Sequence, residues 1–561
     1  MTGAESPADG DRPRESALGA REIAPRTTPR WQLWLAAALL VAHGVLAWTI
    51  RSYGVSTRDQ ANYILLARSL RHWRYVDSFL LGEPAHALYP PAYPSFLAVL
   101  SLPFGEHLDL FIAANVVASI VALGLLYDAM RRRIRGEAAL AALALAALNP
   151  SVALFAGMPL SETPYMLVST VALWAILREP TSPQARGSRP WLWPVLAGSA
   201  AMCAALTRSA GVSILAAVFM YWLLERQFRR AATLLVASSL TVGSWLLWTT
   251  LAPANALSLS YGSDVVRELS PKVGLLRALA VRVSANVIAY PSATIPSVLP
   301  QPSLAGTTID NIVGFFVLLV VAAAGAVVLW KHARVLSLYL VAYAAVLVAW
   351  PWNETRFLVP IVPIVLCLIM AGAFSVAGAR RWLRPTPLLI VAIVAATAAF
   401  KDRSAVKTSL RCDRAHATTS ETCLPVERLD FLTAMRFVRQ AIPRDAAILT
   451  GDDALIGYYG DRRTLPIRIF ADSSANALLA VLHAHGVRYV LLSPQRSPRV
   501  LRLDVWKERC TELSTVKEFP ATTLLLYLPP VGTPPPVPNA CADIQRYSRS
   551  AINAALWSEV P

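Results

Sequence analysis

The chain has 561 residues, of which 55% are hydrophobic and 16% are charged, and its formal net charge is +17. So few charges exclude an ordinary soluble protein, and the composition indicates a set of membrane helices with a smaller soluble part. The positive charge does not indicate a nucleic-acid partner, because the arginines cluster in short tracts between apolar runs, as in the cytoplasmic loops of membrane proteins.

The N-terminal residues 1–30 are polar and rich in proline, which predicts a disordered cytoplasmic tail. The apolar run Trp31–Ile50 that follows is long enough to be an uncleaved membrane anchor. It is the first of eleven predicted spans, some of them shorter than the roughly 20 residues that usually cross a bilayer. The spans are 31–50, 108–130, 137–155, 163–178, 191–207, 210–224, 231–251, 309–330, 335–352, 357–377 and 386–400.

The proline-rich segment 88–104 is ambiguous, because it is apolar but short. A twelfth span here would place the arginine tract 131–135 outside the cytoplasm, against the positive-inside rule. We therefore predict a helix that lies in the outer interface. The predicted transmembrane domain is then 31–400, with external loops 51–107 and 252–308, and the odd number of spans places residues 401–561 outside the cytoplasm.

Residues 401–561 are predicted to form a small extracytoplasmic α/β domain. The patterns indicate helices at 427–441 and 472–485 and strands at 446–450, Tyr489–Ser493 and 522–528. Four cysteines follow the last apolar run, and three disulfide connectivities are open to them. They are Cys412, Cys423, Cys510 and Cys541. Disulfides in this region agree with an oxidising compartment. The spacing of the four cysteines does not match that of a zinc-binding motif.

With this topology, an acid and two arginines on separate segments lie at the same outer side of the membrane. Asp59 is in the first external loop, Arg208 is at the outer turn of residues 207–209, and Arg356 precedes the span at 357–377. Each has an ordinary alternative, because interfacial carboxylates are usually solvated and arginines at helix ends usually reach for lipid headgroups. Glu162 could equally stabilise the N-terminus of the helix that follows it, because a negative charge there suits the helix dipole.

Together these residues suit the transfer of a sugar from a polyprenyl phosphate. One carboxylate takes the proton of the acceptor hydroxyl, and arginines hold the departing phosphate in bidentate geometry. Direct displacement predicts inversion at the anomeric carbon. We therefore expect Asp59, Arg208 and Arg356 to meet around one cavity; if they pointed to unrelated surfaces, this interpretation would fail.

Several motifs in this order resemble those of the GT-C superfamily of membrane glycosyltransferases, in particular protein O-mannosyltransferases, aminoarabinose transferases (ArnT) and RgtA-B-C-D-like transferases. The motifs are Asp59-Gln60-Ala61-Asn62-Tyr63, Tyr89-Pro90-Pro91-Ala92-Tyr93-Pro94, Ser161-Glu162-Thr163, Thr207-Arg208 and Arg356-Phe357-Leu358-Val359-Pro360. The resemblance covers residues 31–400 and extends to the trailing α/β domain. It implies a helical GT-C bundle in the inner membrane, a polyprenyl-phosphate-linked monosaccharide donor and an extracytoplasmic glycan, lipid or protein acceptor.

The resemblance also implies roles for individual residues. Asp59 is the catalytic base, and Arg356 and, secondarily, Arg208 bind the donor phosphate. Many relatives carry Asp-Glu where this chain has Asp59-Gln60. Candidates for substrate contact or a second acid are Glu162, Tyr89, Asp77, Glu83 and Lys272, and loop 252–308, with Tyr261, Asp264 and Arg267, is a candidate lid.

No metal site and no cofactor are predicted, with a divalent metal left open. The rival interpretations are a transporter or flippase, which places charges at mid-membrane on broken helices, and a polysaccharide polymerase that uses lipid-linked glycans. The sequence does not distinguish which sugar is moved or which acceptor receives it.

Overall fold

The computed structural model describes residues 28–179, 190–252, 275–299, 308–350, 352–379, 385–412, 423–470, 473–493, 501–519 and 523–558. This part of the chain is mainly helical, with a small sheet near its C-terminal end. Nearly all of the predicted N-terminal tail, 1–30, lies outside the described residues.

Each of the eleven predicted spans contains helix. The corresponding helices are Arg30–Thr49, Leu108–Met130, Gly136–Ala147 with Pro150–Ala156, Glu162–Arg178, Leu192–Thr207, Val212–Leu224, Phe228–Leu251, Thr308–His332, Arg334–Ala349, Val362–Ala379 and Thr386–Arg411. By length and apolar composition, five of the described helices are able to cross a membrane, or six if the bent pair is one span. The topology of eleven spans therefore stays a prediction.

The third predicted span is bent by 60° between Gly136–Ala147 and Pro150–Ala156. Pro150 lacks the N–H that would continue the first helix, and the Asn149 side chain caps the second by accepting a hydrogen bond from the Val152 N–H at 3.1 Å. The bend turns the chain back toward Ser161 and Glu162, which lie at the site described below.

The helices pack around a shared apolar core and expose apolar side chains on their outer faces. Tyr165, Ile214 and Leu336 are among the fully buried core residues, whereas Leu240 and Val320 are 70% and 73% exposed. Exposed aliphatic surface on long apolar helices is typical of contact with lipid. Together with the helix lengths, it indicates a membrane protein.

The C-terminal region contains a five-stranded mixed sheet of order β2-β1-β3-β5-β4. The strands are β1 Ala447–Thr450, β2 Arg463–Pro466, β3 Tyr489–Leu492, β4 Ser514–Phe519 and β5 Thr523–Tyr527. β1 pairs in parallel with β2 and β3, and β5 pairs antiparallel with β3 and β4. The helices of this region are Val426–Ala441, Ala475–Ala484, Leu503–Glu508 and Cys541–Ser558.

Two disulfides join the four cysteines of this region as Cys412–Cys423 and Cys510–Cys541. The first bridges the end of the long helix Thr386–Arg411 to the segment that begins the C-terminal region. Cys203 and Cys367, within apolar helices, are unpaired thiols.

The segment 51–107, predicted to be the first external loop, is attached to the sheet. It contains the helices Arg58–Leu70 and Ala92–Phe104. Between them, the Thr464 N–H donates to the Phe79 carbonyl at 2.8 Å, and the Leu81 N–H donates to the Thr464 carbonyl at 3.0 Å, so that the loop extends the edge of β2. Ile64 and Phe79 share a buried core with Phe431 of the C-terminal region. This attachment fixes the loop that carries Asp59 against the sheet.

The second external loop, predicted at 252–308, is described for residues 275–299. These form the helix Leu275–Ala289, a π turn Tyr290–Thr294 and the short helix Ile295–Val298. Tyr261, Asp264, Arg267 and Lys272 lie outside the described residues, so the predicted lid is not tested.

Candidate active site

Asp59 is positioned by a capping box at the start of the helix Arg58–Leu70. Thr57 Oγ1 accepts from the Gln60 N–H at 3.3 Å, and Gln60 Oε1 accepts from the N–H groups of Thr57 at 3.3 Å and Ser56 at 2.7 Å. Asp59 therefore lies in the first helical turn, where the helix dipole favours a carboxylate. Gln60 stands where many relatives have the glutamate of an Asp-Glu pair. Its side chain serves in the capping box and is fully buried.

The Asp59 carboxylate has one partner on each oxygen. Tyr89 donates its hydroxyl to Oδ1 at 2.6 Å, and Arg356 donates Nη1 to Oδ2. Burial by itself would raise the pKa of Asp59, but the charge of Arg356 and the two hydrogen bonds outweigh it and lower the pKa to about 2. The carboxylate is therefore ionised at neutral pH.

Arg356 lies in the 3₁₀ turn Thr355–Phe357, which joins two apolar helices. Besides Asp59, its guanidinium contacts Glu354, with Nε 2.6 Å from a carboxylate oxygen, and its Nε lies 4.0 Å from Glu162. Burial lowers the pKa of Arg356, but these three carboxylates hold it well above the ordinary value. Arg356 is thus a permanent cation beside Asp59.

Arg208 ends the helix Leu192–Thr207 in an extended conformation that points its side chain back to the start of another helix. Nη1 lies 2.6 Å from Glu162 and donates to Ser161 Oγ at 3.1 Å. Ser161 Oγ also hydrogen bonds with the Tyr63 hydroxyl at 2.8 Å. The Glu162 side chain is 1% exposed and the Arg208 side chain 12%, so Glu162 is the buried counter-ion of a cation that reaches the surface above it.

These groups surround a cavity of about 670 Å³. The first loop, the ends of the apolar helices and the C-terminal region all contribute side chains to its wall. Its polar and aromatic lining residues are Ser56, Thr57, Arg58, Asp59, Tyr63, Tyr89, Phe155, Thr207, Arg208, Ser209, Tyr343, Trp350, Trp352, Glu354, Thr355, Arg356, Phe357, Asp452 and Arg468. Asp59, Arg208 and Arg356, which the topology predicts on one side of the membrane, all line this cavity.

Asp77, Glu83 and Glu162, the candidates for a second acid, do not line this cavity. Asp77 instead bonds His86 Nδ1 at 2.7 Å, while His86 Nε2 accepts from the Tyr89 N–H at 2.7 Å. This arrangement assigns the imidazole proton to Nδ1 and fixes the backbone of Tyr89, whose hydroxyl holds Asp59. Glu83 pairs with Arg74 and Arg463 away from the cavity wall.

Sequence reasoning missed Arg468 and Asp452 in the cavity wall, and His86, which holds the backbone of Tyr89. His86 lies nine residues after Asp77, and no spacing rule predicts their contact. Arg468 comes from the C-terminal region, and no local motif marks it.

The described residues do not form a metal site, since no group of three or more His, Cys, Asp or Glu side chains is arranged to hold one. The guanidinium of Arg356 contacts Asp59 and lies 4.0 Å from Glu162. A cation is therefore already supplied between the two carboxylates.

We expect Glu162→Gln to lower the free energy of unfolding by about 3–5 kcal/mol, because it leaves Arg208 buried without its counter-charge. The matched control is Asp109→Asn, which breaks the Arg51–Asp109 pair, where the aspartate is 65% exposed, and costs about 1 kcal/mol or less. Steric-trapping unfolding in bicelles measures both changes. Equal losses in the two variants would show that Glu162 is not a structural counter-ion.

No protein-family model and no curated protein sequence matches this chain. Solved structures do match in fold. The chain is similar to the oligosaccharyltransferase of Archaeoglobus fulgidus in its apo form, with 13% identity and a TM-score of 0.54, over 83% of this chain and 70% of that one. It is also similar to ArnT from Cupriavidus metallidurans bound to undecaprenyl phosphate, with 14% identity and a TM-score of 0.52, over 91% of this chain and 100% of that one.

A further structure of the Archaeoglobus fulgidus enzyme, in complex with Zn and sulfate, matches with 13% identity and a TM-score of 0.51, over 81% of this chain and 67% of that one. These neighbours are glycosyltransferases of the GT-C type. The chain therefore has the GT-C fold, and the resemblance predicted from its motifs is confirmed at the level of the fold.

Proposed function

We propose that this protein transfers a monosaccharide from a polyprenyl-phosphate donor to an extracytoplasmic acceptor. The observation that carries the proposal is the cavity in which the ionised carboxylate of Asp59 lies with two arginines, Arg208 and Arg356, at the ends of apolar helices. The similar fold of an ArnT that binds undecaprenyl phosphate supports this class of donor.

In the proposed reaction, Asp59 accepts the proton of the acceptor hydroxyl as the oxygen attacks the anomeric carbon. The bond between that carbon and the phosphate oxygen breaks on the opposite face, so the configuration inverts. Polyprenyl phosphate leaves as a phosphomonoester, and Arg356 with Arg208 stabilises its negative charge. No acid is needed at the leaving group, because a lipid phosphate leaves as a stable anion.

The resting contact between Asp59 and Arg356 makes the carboxylate a weak base, because its pKa is about 2. A donor phosphate that draws Arg356 toward itself removes part of this stabilisation of the carboxylate and raises its basicity. Donor binding would thus activate the base at the moment when an acceptor can use it. Tyr89, which keeps its hydrogen bond to Asp59, would hold the carboxylate in place.

We further propose the topology that the sequence predicts, with eleven spans, a cytoplasmic N-terminus, and residues 401–561 outside the inner (plasma) membrane. The two disulfides in that region suit an oxidising compartment. In this arrangement the C-terminal sheet covers the cavity from the side of the soluble acceptor.

Transfer is tested with the full chain in liposomes, a panel of polyprenyl-phosphate monosaccharides labelled in the sugar, and envelope glycans, lipids and proteins as acceptors. The expected result is label in one acceptor fraction. In parallel, the same liposomes report movement of the intact labelled lipid between leaflets. Movement without transfer would contradict the enzyme and support a flippase.

A further inference from the structure

Arg468 is the cation that the C-terminal region contributes to the cavity. It lies in the 3₁₀ turn Ile467–Phe470, immediately after β2, and it lines the cavity together with Asp452 and Leu455. Its side chain is 22% exposed, so the guanidinium is largely enclosed by protein yet reaches the cavity wall.

The hydrogen-bonding capacity of this guanidinium is unused. Within the described residues Arg468 makes no hydrogen bond, and its buried Nε and Nη2 have no acceptor. The nearest carboxylate among the described residues is that of Asp453, with Oδ2 3.9 Å from Nη2, which is beyond hydrogen-bonding distance. A buried guanidinium without acceptors is costly, so such a group is seldom retained unless something binds it.

Asp453 forms only a long ion pair with Arg468, because its carboxylate is already engaged by Arg58. Arg58 donates Nε to Oδ1 at 2.6 Å and Nη2 to Oδ2 at 3.0 Å, and the Asp453 side chain is 1% exposed. One carboxylate therefore serves two guanidiniums. Arg58 directly precedes Asp59, so this group of three side chains adjoins the proposed base.

We propose that Arg468 binds an oxyanion, a phosphate or carboxylate group of a substrate, at a position distinct from the one between Arg356 and Arg208. This inference rests on the proposed function. Arg356 and Arg208 lie at the ends of the apolar helices, whereas Arg468 lies in the turn that follows β2 of the C-terminal region. The donor phosphate enters with its lipid from the membrane side, so Arg468 faces the acceptor, and the transferred sugar goes to an acceptor with an anionic group beside its hydroxyl.

Binding to the full chain in nanodiscs tests the proposal. The variants are Arg468→Gln, Arg468→Lys and the control Arg463→Gln, whose side chain is 51% exposed and pairs with Glu83 outside the cavity. Tryptophan fluorescence, for which Trp350 and Trp352 in the cavity wall serve as reporters, measures the Kd of decaprenyl phosphate. It then measures the Kd of inorganic phosphate with decaprenyl phosphate already bound.

Arg468→Gln is expected to weaken binding of inorganic phosphate to the loaded protein by about 10-fold or more, since a charge-assisted hydrogen bond is lost, and Arg468→Lys to recover part of it. Weaker binding of decaprenyl phosphate itself would support the oxyanion site but assign it to the donor. Unchanged Kd values for both ligands, equal to those of Arg463→Gln, would overturn the proposal. Neither binding measurement depends on sugar transfer. If the proposed function were wrong but the oxyanion site right, wild-type protein would bind phosphate through Arg468 and transfer no sugar.

Discussion

Asp59→Asn is expected to lower kcat for sugar transfer by about 10²–10⁴-fold, the usual contribution of a positioned general base. Asparagine retains an oxygen for the Tyr89 hydroxyl but cannot take a proton from the acceptor. Arg356 loses its charged partner on the donor side of the cavity, so the Kd of the donor should stay equal or fall. Steady-state kcat and KM, with polyprenyl phosphate binding measured separately, give both quantities.

The control for this variant is Asp109→Asn, an exposed aspartate in an arginine pair remote from the cavity, which should leave kcat unchanged. Asp59→Glu keeps the carboxylate but moves it by one methylene, and we expect an intermediate kcat. Full activity in Asp59→Asn would remove Asp59 from the mechanism.

Arg356→Gln is expected to lower kcat/KM by about 10²–10³-fold, because a bidentate, charge-assisted contact to the departing phosphate is lost. Arg356→Lys should recover only part of the activity, because lysine presents a point charge in place of the planar fork. The matched control is Arg334→Gln, which breaks an arginine pair with Glu225 at another helix end. A loss in Arg334→Gln as large as that in Arg356→Gln would point to a general effect of interfacial charge.

The same variant should also acquire a new pH dependence. In the donor-free wild type, Arg356 keeps the pKa of Asp59 at about 2, so the base stays ionised through the mildly acid range and kcat/KM, which reports the free enzyme, shows no loss there. Burial raises the pKa of Asp59, and without Arg356 less positive charge opposes this effect, so the pKa rises. Because a carboxylate protonates as the pH falls through its pKa, Arg356→Gln should lose rate on the acid side while the wild type does not. Coincident pH profiles would contradict this coupling.

The features of the fold that the sequence predicted are those governed by local composition. Each apolar run of the N-terminal two thirds contains helix, because a continuous apolar stretch is consistent with few other structures in a membrane. In the sheet, β1, β3 and β5 were predicted because their residues are apolar. β2 and β4 were not, since both lie at the edges of the sheet, β2 ends in Pro466, and β4 carries Lys517 and Glu518.

The candidate site was predictable where residues share one side of the membrane, and not where it depends on tertiary contacts. Asp59, Arg208 and Arg356 were brought together by a topological argument alone. The pairing of Arg58 with Asp453 joins residues 395 apart in the chain, and no spacing rule reaches that far. For the same reason, the disulfide pairing and the presence of Arg468 in the cavity required the folded structure.

Phosphorus NMR of the donor during turnover tests the central claim most directly. A polyprenyl-phosphate sugar is a phosphodiester, and transfer at its anomeric carbon converts it to a phosphomonoester. The proposed mechanism predicts that wild-type protein forms polyprenyl phosphate in a one-to-one ratio with glycosylated acceptor, and that Asp59→Asn forms neither at a comparable rate. An unchanged phosphodiester signal in the presence of donor and a competent acceptor fraction, or equal conversion by Asp59→Asn, would contradict it.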